Sequence, residues 1–251
     1  MRLRSSALAA ASVDFRDRDY PLVQSGDQWY AMVGAGQNIG SEVMVPAGDY
    51  PAVVSYQFSG GKDVYTTQVT VSVTATSFPV DVIEPGAVDA ALLTPELAAS
   101  EAAQLQQAYG TFTPQQLWQG AFSLPVNGTV TTNFGARRSY EGEPATGSHS
   151  GVDLGVPLGT PVGASAAGRV AWTGSLPDRG NGVIVDHGLG VFTGYFHLSR
   201  ITALQGQAVS PGDIVGLAGS TGLSTGPHVH WEVVIGGVNV DALQFARLTL
   251  P

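Results

Sequence analysis

Gly219-Ser220-Thr221-Gly222-Leu223-Ser224-Thr225-Gly226-Pro227-His228-Val229-His230-Trp231-Glu232 is the stretch that decides the fold. Its first part is rich in glycine and small hydroxyl side chains, so it can bend sharply and let another backbone come close, as the wall of a cleft must. Its second part reads as a strand, in which residues two apart share a face. His228 and His230 therefore aim at one point, with Glu232 on the same face. Glu232 is read equally as a partner of an imidazole or as a surface carboxylate. A phosphate cradle is rejected, because no lysine follows the glycines in Walker fashion.

A second pair lies upstream in His149-Ser150-Gly151-Val152-Asp153, where the spacing of four again points both polar side chains the same way in an extended chain. Two imidazoles and one carboxylate, with water in the fourth position, form a recognised catalytic zinc set. His149, Asp153 and one of His228 and His230 satisfy it; the spacing alone does not choose between the last two. The chain has no cysteine, so thiolate zinc sites and disulfides are excluded.

The 251 residues suffice for one large or two ordinary domains, and 33 glycines and 15 prolines among short Val, Thr and Tyr runs favour a mainly β protein. The formal net charge is −9, from 20 acidic against 11 basic residues, with no basic cluster. Nucleic acid is thus not an expected partner. The apolar run within residues 1–12 is too short for a signal-peptide core or a membrane span, which leaves a cytoplasmic chain or a mature form as the expectation.

Alternating runs at 28–33 and 64–73 predict half-buried strands, and we expect a small immunoglobulin-like β-sandwich over residues 13–82, with Trp29, Tyr30 and Tyr65 as core residues and not a ligand platform. Thr94-Pro95-Glu96 predicts a helix start and a helix running to Gly110. Thr113-Pro114-Gln115-Gln116 repeats the signal, with a stop at Gly120, so residues 83–120 are expected to be a helical linker. The second domain is expected at 121–251.

Asn133-Phe134-Gly135, His149 to Asp153, Gly180 to Gly188, Tyr195-Phe196-His197-Leu198-Ser199 and Gly219 to Glu232 occur together and in order. In this respect the chain resembles the lysostaphin-type, M23 or LytM-like family of zinc peptidoglycan endopeptidases, over roughly residues 121–245. The resemblance implies an antiparallel β-sheet domain with a loop-lined groove, a Zn²⁺ cofactor, and bacterial wall peptide as substrate. It also implies that His149, Asp153 and His230 bind the metal, while His197 and His228 are catalytic. Asn181 and Tyr140 are expected to line the groove. Ser150, Phe196 and Val229 depart from the family's usual residues, and none is expected to touch a ligand.

Zinc with one open position lowers the pKa of its water toward about 7, and His228 is placed to take the water's proton while His197 holds the water or stabilises the oxyanion. His187, in a strand-to-turn segment, is expected to serve a local hydrogen bond. A competing reading is a latent or non-catalytic regulator that binds wall or activates another hydrolase. Members of that kind typically lack zinc ligands, and this chain lacks none. A wall substrate implies an extracytoplasmic location.

Overall fold

The computed structural model describes residues 1–5, 7–41, 43–83, 89–140, 145 and 147–248. The architecture is mainly β, with a single long helix, and among the described residues no helix is long and apolar enough to cross a membrane.

The first region carries two antiparallel sheets. One has the order Asp19–Pro21, Leu8–Phe15, Gly48–Phe58, Val64–Val73; the other is Arg2–Arg4, Gln28–Tyr30, Val23–Ser25. Val13, Phe15, Leu22, Trp29, Ala52 and Val54 form their shared core. Its strands begin well before residue 13, so the expected start of the first region is too late.

The Val64–Val73 strand departs from the half-buried pattern read in its sequence, being exposed along almost its whole length. Among the described residues it is an edge strand paired with Gly48–Phe58 alone. Tyr65 is accordingly 46% exposed, not a core residue, and stacks across the ladder on Tyr56 with ring centroids 5.8 Å apart. The first region also does not end in itself. Val80–Ile83 pairs in parallel with Arg137–Tyr140, and Gln37–Asn38 pairs with Val238–Val240, so both regions share strands.

Helix α1 (Pro95–Ala108) forms where its sequence predicts, with the Thr94 hydroxyl accepting from the Leu97 amide and Pro95 in the first turn. The second helix start fails: among residues 113–120 there is no helix. The chain instead runs as a strap along the turn at 187–189, where Leu117 N–H donates to His187 O and Leu189 N–H to Thr113 O. Thr113 donates its hydroxyl to Asp186, and Trp118 and Phe122 enter the core at 3% and 4% exposure. Burial of two large aromatics, with the two backbone bonds to the 187–189 turn, outweighs a local capping preference of order 1 kcal/mol.

Gly188 sits under this strap at φ +85°, and a Cβ there would meet the Gln115 carbonyl. Gly188→Ala is therefore expected to destabilise the chain by roughly 2–4 kcal/mol, from left-handed strain plus steric overlap. Urea unfolding checks this; a midpoint equal to wild type would refute the packing described.

The second region is organised on a nine-stranded sheet, with the order Thr129–Thr132, Val152–Gly155, His228–Ile235, Val191–Phe196, Gly180–Gly188, Gly168–Leu176, Ala208–Val209 and with Val238–Val240 and Gln37–Asn38 attached to the His228–Ile235 strand side. The pairs along the main path are antiparallel. Val229, Trp231, Val233 and Ile235 face the large core. The alternate residues face the other way, where Val234 joins Phe192, Phe196 and Ile184 beneath Leu105 and Tyr109 at the end of helix α1. The linker helix is thus a cover for the sheet face that bears His228, His230 and Glu232.

Candidate metal centre

Register brings the ligand candidates together. Asp153 lies directly opposite His230 in one ladder and Phe196 directly opposite His230 in the next, so the central strand is flanked by both motif segments. His149 precedes the Val152–Gly155 strand and is fixed through its backbone, its N–H donating to Ala136 O and its carbonyl accepting from Gly135 N–H. Gly135 has φ +78° and a Phe78 ring where a Cβ would stand, so this turn admits only glycine.

His149, Asp153 and His230 are buried, and their donor atoms all lie within 4.8 Å of one another. His149 Nε2 is 2.9 Å from His230 Nδ1 and 3.0 Å from Asp153 Oδ1, and His230 Nδ1 is 2.8 Å from the same oxygen. The outer nitrogens settle the tautomers. His149 Nδ1 donates to the Asn133 carbonyl at 3.1 Å, and His230 Nε2 donates to Glu232 Oε1 at 3.1 Å. His149 then turns the lone pair of Nε2 inward, while His230 Nδ1, 2.8 Å from Asp153 Oδ1, bonds that oxygen through a proton that a metal ion would replace. Three ligand atoms of this kind, so close together, could hold one metal ion, and two imidazoles with one carboxylate suit a zinc-type ion.

The electrostatics agree. Burial lowers the His149 pKa to about 4, against the pull of Asp153, so its ring is neutral as a ligand must be. Burial alone would raise the Asp153 carboxyl, but His149 and His230 beside it hold it well below the usual carboxylate range. His230 differs: burial opposes protonation, yet the bonds to Asp153 and Glu232 outweigh it and raise the pKa, so a metal binding here would have to displace a proton from this ring.

The other two histidines flank this centre. His228 Nδ1 donates to Gly226 O at 2.8 Å, leaving Nε2 3.6 Å from Asp153 Oδ1. His197 has φ +59°, a left-handed backbone that a non-glycine residue adopts at a cost, and its Nδ1 donates to Thr221 O at 2.7 Å. The rings of His197 and His228 are 4.6 Å apart. Burial lowers both pKa values, that of His197 well below the ordinary histidine range, so both are neutral at neutral pH. The glycine-rich wall read in the sequence holds both rings, through Thr221 and Gly226.

A cavity of about 380 Å³ opens on His149, His197 and His230, with Arg138 and Ser150 on one side and Leu93, Leu97 and Ala98 from helix α1 and its approach on the other. Asn181 does not line it: its side-chain amide donates to Leu198 O at 3.1 Å and supports the turn that carries His197. Tyr140 ends the Arg137–Tyr140 strand, and its side chain lies outside the described set.

Two expectations about neighbours are settled by contacts. Glu232 is fully buried and partners His230, which rules out the surface reading. Ser150 does touch a ligand, contrary to expectation, since its hydroxyl is 3.3 Å from His230 Nε2 and donates to Glu232 Oε1 at 2.6 Å. Sequence reading missed Arg179, which donates to Glu232 Oε1 from Nη2 at 2.6 Å and to the Ser150 hydroxyl at 2.9 Å. It also missed Glu101, although Leu97, Glu101 and Leu105 at intervals of four place that carboxylate on the buried face of an amphipathic helix.

His187 lies apart from this centre, with no exposure, donating Nδ1–H to Ala167 O at 2.8 Å and lying 2.8 Å from the Thr193 hydroxyl through Nε2. Burial lowers its pKa from 6.5 to about 4. The ring stays neutral in the folded chain while the unfolded chain takes up the proton, so stability is present above pH 6.5 and falls as the pH drops through 6.5 toward 4. The expected loss is about 3 kcal/mol. Urea unfolding of wild type and His187→Gln at pH 7 and pH 4.5 measures it; an unchanged pH slope in the variant would overturn the assignment.

A buried two-histidine, one-carboxylate group with two neutral imidazoles beside it, reaching a cavity through His149, His197 and His230, is an arrangement that metal-dependent hydrolases use. Residues 147–242 match peptidase family M23, and the chain carries an M23 peptidase domain. It is 36% identical over 140 residues to the peptidoglycan DD-endopeptidase ShyA of Vibrio cholerae serotype O1, covering 56% of this chain and 30% of that protein. It is 45% identical over 101 residues to the DD-carboxypeptidase/endopeptidase Mpg of Neisseria meningitidis serogroup B, covering 40% and 23% respectively. The chain thus spans less than a third of the length of these curated relatives. A crystal structure of a Pseudomonas aeruginosa protein assigned to peptidase M23 superposes with a TM-score of 0.69 at 27% identity, over 98% of this chain and 92% of that one, and so shares the fold of both regions.

Proposed function

We propose that this chain is a zinc-dependent endopeptidase that hydrolyses peptide cross-links or stem peptides of bacterial peptidoglycan. The observation that carries the reading is the convergence of three potential ligand atoms, from His149, Asp153 and His230, beside two neutral imidazoles whose Nδ1 atoms are already committed. The wall substrate is supported by the names of the relatives, both of which act as peptidoglycan or DD-peptide hydrolases. A wall substrate places the working enzyme outside the cytoplasmic membrane.

His149 Nε2, Asp153 and His230 Nδ1 would hold the zinc, which when bound would supply an activated water near neutral pH and polarise the scissile carbonyl. The side chains do the rest. His228 Nε2 takes the proton of the attacking water and returns it to the leaving amine. His197, with Nδ1 donated to Thr221 O, offers Nε2 as an acceptor that fixes the water's orientation; this favours the water-holding role over oxyanion donation. Asn181 supports the His197 turn, and the apolar wall from Leu93 to Ala98 excludes water from one side of the bound peptide.

The test is release of free amines from purified peptidoglycan by the full chain, with its zinc content determined in the same preparation. Activity lost on chelation and restored by zinc is the expected result. A zinc-loaded chain that releases nothing from walls with glycine-bridged cross-links or from walls with direct D-amino-acid cross-links overturns the reading in favour of a regulatory role.

A further inference from the structure

Helix α1 is joined to the metal centre by a buried polar chain that neither the hydrolytic chemistry nor the helix's own packing requires. His230 Nε2 donates to Glu232 Oε1, the same oxygen accepts from Arg179, and Arg179 Nη1 donates to Glu101 Oε1 at 2.6 Å. The second oxygen of Glu101 accepts the Asp178 amide at 2.7 Å, which holds the carboxylate in place. From the other end of the helix, the Tyr109 hydroxyl donates to Glu232 Oε2 at 3.1 Å. Both oxygens of Glu232 are therefore gripped from α1, one directly and one through Arg179.

We propose that Glu101 and Tyr109 are positioning residues of the metal centre, acting through Arg179 and Glu232 on His230. The unit that holds the metal then includes helix α1, and a peptidase domain taken to begin at 121 lacks part of its own ligand support. Burial works against the charged form of Arg179, but Glu232 and Glu101 on either side hold it protonated. Glu101 is 3% exposed and Glu232 fully buried. Buried ionic groups of this kind add little stability over an apolar replacement, so their retention calls for another reason. The reason on hand is their common target.

A carboxylate that accepts the outer N–H of a ligating imidazole fixes its tautomer and raises its basicity toward the metal. Two carboxylates against one guanidinium leave one negative charge behind His230, which favours a cation in front of it. Removing the Glu101 charge lets Arg179 draw fully on Glu232 and weakens that support. Removing the Tyr109 hydroxyl frees one Glu232 oxygen and loosens its aim.

The inference rests on the zinc reading, and zinc itself is the probe. The full-length apo-protein is titrated with Zn²⁺ against a chromophoric chelator, for wild type, Glu101→Gln, Tyr109→Phe and Leu105→Ala. Leu105 lies between the two polar residues, is 3% exposed and packs with Ile184 and Phe192, so its truncation loosens the helix without touching the polar chain. Glu101→Gln and Tyr109→Phe are each expected to weaken zinc binding by about tenfold, the lower end of the effect of outer partners, while Leu105→Ala lowers the melting temperature and leaves zinc affinity within about twofold of wild type. The proposal is overturned if both polar variants bind zinc as wild type does, or if Leu105→Ala weakens zinc as much as they do. A wild type that binds no zinc refutes the underlying reading instead, and the wild-type titration shows it directly.

Discussion

His230→Ala is expected to reduce zinc from about one ion per chain to background and to lower amine release at least about 10³-fold. The reasoning runs from register to chemistry. His230 lies on the central strand, bonded to Asp153 at 2.8 Å on its inner side and to Glu232 at 3.1 Å on its outer side. Truncation removes an inner donor and also strands Glu232, whose carboxyl is held well below its ordinary range by Arg179 and His230 against the effect of burial. Polarisation of a carbonyl by a metal is worth several kcal/mol, and each 1.36 kcal/mol is tenfold in rate. Atomic absorption on the purified variant, alongside the amine assay, checks both halves. A variant that keeps stoichiometric zinc would remove His230 from the ligand set and return the choice to His228.

His228→Ala is expected to do the opposite with the metal and nearly the same with the rate: zinc stays at the wild-type level while kcat falls about 10²- to 10⁴-fold, the range for loss of a positioned proton carrier. His228 touches the centre only through Nε2, 3.6 Å from Asp153 Oδ1, and is otherwise tied to the Gly226 carbonyl, so its removal leaves the three converging donors intact. Its side chain is partly accessible where the ligand candidates are closed off, as a group that exchanges protons with water and substrate must be. Equal loss of zinc and rate would make His228 a ligand; a full rate with full zinc would leave the proton transfer to His197. Together the two variants separate two histidines that stand two residues apart on one strand face.

That separation marks the limit of the linear reading. Motif order and the alternation in the strand after Pro227 were enough for a β architecture, for the resemblance to zinc peptidases and for the two short segments in which the ligand candidates lie. Both are local properties, since strand period and turn chemistry depend on residues within a few positions of each other. The same locality explains helix α1, whose cap, first-turn proline and amphipathic spacing all lie in one window. It also explains the failure at 113–120, where an equally good cap signal is overridden by burial of Trp118 and Phe122 and by pairing with the 187–189 turn, some seventy residues away.

What only the tertiary structure decided is which atoms meet. The ladders set Asp153 and Phe196 on either side of His230 and leave His228 opposite Gly155, because register across strands is set by long-range pairing that no single segment encodes. The partners that hold the outer nitrogen of each imidazole come from Asn133, Glu232, Gly226 and Thr221, scattered along a hundred residues. Glu101, which read as one more residue of a linker, proves to stand behind the metal centre because the helix packs its buried face on the sheet that bears His230. A charge's role depends on what surrounds it at a few ångströms, and that neighbourhood is assembled by the fold, not by the order of residues.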